Sequence, residues 1–122
     1  MTEEKVQEFI NNIPMRVLFG EIRKRTGLYD LEFNHHVAKC WDGKPSIKFE
    51  SQDIADKVGF LNGLLFKTIK IAQFNSQVYE EKDGELRWWG TVSFAYTHPD
   101  GGSNGHTFMD FGYTEREGFR FK

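Results

Sequence analysis

One carboxylate, Asp110, stands inside the aromatic run "HTFMDFGYTE", between Phe108, Met109 and Phe111. A carboxyl group in apolar surroundings without a cation is pushed toward its neutral form, which suits a general base or a neutral hydrogen-bond donor. Pairing His98 opposite His106 would set Phe94 opposite Asp110 and Tyr96 opposite Phe108. Asp110 would then lie on the face that also carries Trp88 and Val92. His35 lies on the apolar side of its own strand, and its titration near neutrality suits it to share a proton with Asp110. Tyr96 offers a hydroxyl to polarise a carbonyl, and Tyr29 offers another. Asp110, His35 and Tyr96 are thus the candidate catalytic groups, with Tyr29, Trp88, Phe94, Phe108 and His106 lining a substrate. The structural alternative is a hydrogen-bonded or solvent-facing aspartate, a core histidine, and aromatic rings with one wet end.

Other chemistry is weaker. His35 and His36 are adjacent, so a regular strand points them apart. His98 and His106 lack a firm third ligand, so no metal is expected. Arg23, Lys24 and Arg25 read as the solvated end of a helix, and Cys40 as a small core residue. No phosphate loop, dinucleotide fingerprint, nucleophile elbow or paired-cysteine motif is present, and no cofactor is expected.

The elements that would position these groups change period along the chain. Val6, Phe9, Ile10 and Ile13 recur at helical spacing over 3–12. Pro14 opens a second helix with Met15, Leu18, Phe19 and Ile22 on one stripe, which stops at Gly27. A strand over 16–22 is the rival reading. "LYDLEFNHHV" alternates, with Tyr29, Leu31, Phe33, His35 and Val37 on one side. Asp42-Gly43 supplies a turn into "SIKFE". Ser51 reads as the cap of a third helix carrying Ile54, Val58 and Leu61. Residues 64–80, 85–97, 106–115 and 118–122 then read as strands joined by "KDGE", "PDGGSNG" and "REG". Helices followed by hairpin-linked strands predict an α+β fold, with N-terminal helices packed on a curved, mostly antiparallel sheet.

The chain has 122 residues, which predicts one domain spanning 1–122. Sixteen basic against eighteen acidic residues give a net charge of -2, which disfavours nucleic acid. One cysteine predicts no internal disulfide and fits a cytoplasmic setting. No signal sequence is read in "MTEEKVQEFINN". No apolar run approaches the roughly 20 residues of a membrane span, so no membrane partner is expected.

The order of elements resembles the NTF2-like superfamily, which includes ketosteroid isomerase and the SnoaL-like cyclases. The resemblance is carried by "GTVSFAYTH", "PDGG", "HTFMDFGYTE" and the closing "EGFRF". Upstream, "GKPSIKFESQDIADKVGFL" is similar to the family's lead into its third helix. It implies a cone, in which a bent sheet and helices enclose an apolar cavity, and it implies frequent dimers. Scaffolds of this kind carry unrelated chemistries, so the site has to argue the function.

Two readings follow. One is a binding protein or enzyme for a small apolar molecule, with isomerase- or cyclase-like acid–base chemistry. It requires an enclosed cavity with convergent polar groups. The other is a non-catalytic interaction, inhibitor or accessory protein that docks through an aromatic sheet face. The other face of the last hairpins would carry Trp89, Met109, Phe111 and Tyr113, so both faces are apolar, which predicts a homodimer or another protein partner.

Overall fold

In a computed structural model, the backbone is described for residues 2–26, 32–51, 59–61, 64–66, 68–97 and 104–122. Side chains are described within 2–26, 32–49, 75–93 and 108–122. Helix α1 spans Glu3–Asn11 and α2 spans Met15–Thr26. Strands follow at β1 Phe33–Lys39, β2 Pro45–Ser51, β3 Gly59–Leu61, β4 Leu64–Phe66, β5 Thr68–Glu80, β6 Leu86–Thr97, β7 Asn104–Thr114 and β8 Gly118–Phe121. The fold is α+β, and every strand pairing is antiparallel.

The helices form where apolar spacing and caps agree. The Thr2 hydroxyl accepts the Lys5 backbone N–H, and Glu3 and Glu4 occupy the first turn, where the helix dipole favours acids. In α2 the alternation that also suited a strand loses to the helical stripe. Met15, Leu18, Phe19 and Ile22 are all buried, and Arg23, Lys24 and Arg25 close the last turn. The buried residues of both helices join one core with Ile47 and Phe49 of β2 and with Val78, Trp88, Val92, Met109, Phe111 and Tyr113 of the four-stranded sheet β5-β6-β7-β8. Phe9 of α1 meets Tyr113 of β7 at 5.7 Å between ring centroids. Trp88 lies at the centre with no exposed surface, edge-on to Phe111 at 4.6 Å.

The hairpins β1–β2 and β5–β6 use one turn chemistry twice. Cys40 N–H bonds Lys44 O, Gly43 N–H bonds Cys40 O, and the Lys44 N–H reaches Asp42 Oδ1. Glu81, Glu85, Gly84 and Asp83 repeat the pattern. Gly43 and Gly84 sit at φ 80° and 83°, the left-handed region such turns require.

A bulge on β5 between Gln73 and Asn75 aims the Ser76 side chain into the core. Its hydroxyl receives Trp88 Nε1–H at 3.1 Å, shares a 2.7 Å hydrogen bond with Ser46, and donates to Ile47 O at 3.0 Å. One buried atom thereby ties β2 to β5 and β6. The bulge also sets Asn75 O against Gly90, where an added Cβ would lie 2.6 Å from that oxygen and 2.9 Å from the Phe111 ring.

Two expectations change. Of the expected apolar face of the first strand, Phe33 stacks on Phe19 at 4.4 Å, but His35 and Val37 are exposed. Ile47 and Phe49 of β2 are buried instead, because β1 is an edge and β2 lies next to β5. The expected third helix falls largely outside the described residues; its expected cap, Ser51, ends strand β2, and its last inward residue, Leu61, belongs to strand β3. The four-stranded sheet is not strongly curled. Among the described residues no helix is long and apolar enough to cross a membrane.

Candidate functional site

The last long hairpin decides where chemistry can sit, and its register differs from the sequence expectation. His106 pairs with Ala95, Thr107 with Phe94, and Asp110 with Thr91. The offset from the expected pairing is three residues, and an odd offset exchanges the faces of one strand relative to the other. Trp88 and Val92 therefore share the helix-covered face with Met109, Phe111 and Tyr113, all buried. These three are not the outer face that the sequence suggested. The physical reason is direct: this register buries five apolar side chains together, whereas the expected one would have buried Asp110 without a cation.

Asp110 is exposed on the outer face, where its Oδ1 accepts the Thr91 hydroxyl at 2.7 Å. The premise of a carboxyl group in oily surroundings is thereby corrected. His35 lies on the helix side beside Phe19, 5.9 Å between ring centroids, and does not face Asp110. Tyr96 pairs with Ile69 and Gly105, five residues along β6 from Thr91, roughly 17 Å at strand rise. The three proposed catalytic groups are not gathered. Trp88 has no surface to offer a ligand, and its N–H is taken by Ser76. Phe108 is 59 % exposed, beside Asp110 on the outer face. Phe94 and His106 lie in β6 and β7, with side chains outside the described residues, and Tyr29 lies outside them altogether.

The outer face instead holds an open groove of about 540 Å³ that no single motif announced. Gly112 of β7 is its floor: a Cβ there would meet nothing within 4 Å. Across the ladder from Gly112 stand Trp89 of β6 and Arg120 of β8. Tyr79, Arg87, Thr114 and Glu117 close one end, and Thr91, Asp110 and Lys122 the other. The alternation of Tyr79, Arg87, Trp89, Thr91 and Asp110 was the available signal, hidden by the register assumption.

The electrostatics of this face are mixed and local. Arg120 pairs with Glu117 at 2.9 Å and Arg87 with Glu81 at 3.3 Å. The Tyr79 hydroxyl, followed by the charges of Glu81 and Glu117, holds the Arg87 guanidinium above its ordinary value, so it stays cationic. The backbone N–H of Lys122 bonds Asp110 O, and Lys122 O accepts from Arg25 Nη1 of α2. This strap fixes the groove's edge to the helical layer. On the other face, burial first and the Glu115 charge second push the Tyr113 phenol up.

Among the described residues no three of His, Cys, Asp or Glu gather to hold a metal ion. The groove can present a flat indole, a slot without side chains, and fixed charges of both signs. Its one described hydroxyl–carboxylate contact is Thr91 with Asp110 at 2.7 Å, on the exposed outer surface. Comparison of the chain with protein-family models, curated proteins and solved structures finds no match.

Proposed function

We propose that this chain is a non-catalytic interaction module whose outward sheet face docks protein, in the first instance a second copy of itself. One observation carries the reading: on the helix side of the sheet the described side chains bury Trp88 completely, while the opposite side bears the groove between Trp89 and Arg120. A two-fold contact needs a patch complementary to itself. This one offers cations at Arg87 and Arg120, acids at Asp110 and Glu117, and the apolar rings of Trp89 and Phe108. The NTF2-like relationship read from the sequence remains part of the proposal. It rests on the expected order of helix, helix, strand, helix and then long strands.

The test is sedimentation equilibrium of the wild type beside Gly112→Arg and Phe108→Ser. Gly112 has room for a side chain, so the denaturation midpoint of Gly112→Arg should not move. The expected result is a reversible dimer whose dissociation constant rises at least about tenfold, or 1.4 kcal/mol, in each variant. A wild type that stays monomeric at all concentrations refutes the reading, as does a Gly112→Arg protein that dimerises normally.

A second reading, binding of a small apolar molecule, is favoured by the groove's size, which falls within the range of ligand sites. Quenching of indole fluorescence by an aromatic probe, abolished in Gly112→Arg but preserved in monomeric Phe108→Ser, would select it.

A further inference from the structure

Trp41 is 99 % exposed, an unusual setting for the largest apolar side chain. It stands at the tip of the β1–β2 hairpin and is displayed rigidly. The Gly43 N–H to Cys40 O bond, the Lys44 N–H to Asp42 Oδ1 bond and the left-handed Gly43 fix the turn. The Cys40 thiol donates to Ser76 O at 3.1 Å and anchors the turn's base to β5. Three exposed lysines flank the ring: Lys39, Lys44 and Lys48. Among the described residues no ion pair joins any of them. With Asp42 as its one carboxylate, the stretch 39–48 carries a net charge of +2 in a chain whose net charge is -2.

We infer that this tip docks on an anionic lipid surface, with the Trp41 indole seated at headgroup depth and Lys39, Lys44 and Lys48 against lipid phosphates and carboxylates. Size favours lipid over protein. A stable protein contact buries roughly 800 Å² on each partner, and the exposed large apolar side chains described on this hairpin are Trp41 and the half-exposed Val37 alone. A bilayer interface needs no shaped pocket. It accepts an amphipathic ring with cationic flanks, the chemistry of interfacial tryptophan and of polybasic segments. Screening within about 8–10 Å confines the attraction to the tip, so the chain's net negative charge is not felt at the contact. The expectation of no membrane partner rested on span length alone, and this contact revises it. The inference is independent of the sheet-face groove.

The test is co-sedimentation of the full chain with vesicles of phosphatidylcholine alone and of an equal mixture with phosphatidylserine, at millimolar lipid. The wild type should partition onto the mixed vesicles and not onto phosphatidylcholine, and added salt should release it. Each lysine near such a surface contributes about fivefold, so Lys39→Gln/Lys44→Gln/Lys48→Gln should lose roughly a hundredfold. Trp41→Ser, at a position with no packing to lose, should weaken partition at least about tenfold and remove the emission shift seen on vesicles. Absence of wild-type partition onto the mixed vesicles overturns the inference. So does a Trp41→Ser protein that partitions like the wild type. Binding to a polyanion such as heparin with no vesicle partition would point to a different macromolecule and would equally overturn it.

Discussion

Replacing Ser76 by alanine removes one oxygen from the centre of the molecule and should cost far more than its size. The Ser76 residue is 4 % exposed and Trp88 has no exposure at all. Without the hydroxyl, Trp88 Nε1–H keeps no partner at the position it now reaches over 3.1 Å, and a buried donor left unpaired costs about 1–3 kcal/mol. Ile47 O loses a donor at 3.0 Å, and the bond to Ser46 at 2.7 Å goes as well, together about 1–2 kcal/mol net. Ser46 can turn its hydroxyl elsewhere, so the total should fall near 3 kcal/mol. That is a large share of the 5–15 kcal/mol typical of a domain.

Urea unfolding followed by far-ultraviolet circular dichroism measures the loss, which should appear in the midpoint with an unchanged slope. A double-mutant cycle with Trp88→Phe isolates the indole–hydroxyl term. The double variant should be less destabilised than the sum of the singles by about 1–2 kcal/mol. If Ser76→Ala costs under about 0.5 kcal/mol, or the two changes simply add, the shared hydroxyl does not tie the strands as argued.

Two further outcomes follow from packing and burial. Gly90→Ala sets a methyl group 2.6 Å from Asn75 O, a backbone atom that cannot swing away; it should destabilise by about 2–3 kcal/mol in the same assay, and a neutral result would mean the bulge is soft. Burial raises the Tyr113 phenol above its unfolded value near 10, so the folded state favours the protonated form. Its contribution is fully present below about pH 10 and is lost as pH rises through the folded value. The urea midpoint should therefore fall on alkalinisation, and Tyr113→Phe should flatten that fall; an identical slope in the variant would exclude Tyr113 as its source.

Much of the fold could be read from local patterns. The stripe of Leu18 and Ile22, the cations at Arg23–Arg25, the two Asp-Gly turns and the alternation of the late strands each act over a few residues, where propensity, capping and turn chemistry decide. The site was less legible. Asp110 stands in a run whose neighbours are aromatic whichever way the strand faces, so local sequence does not choose its side. That choice belongs to pairing with β6, and Trp88, Val92, Met109, Phe111 and Tyr113 settle it together by sharing one dry face. His35 behaves similarly: alternation assigns it to the apolar side of its strand, yet β1 is an edge and leaves it exposed. Among the described residues the sequence by itself determined the two helices, the long strands and the Asp-Gly turns, though not β3, because those preferences are set by near neighbours. Only the tertiary structure decided which face of each strand meets water, because a strand's register is fixed by partners far along the chain and a one-residue slip inverts every side chain.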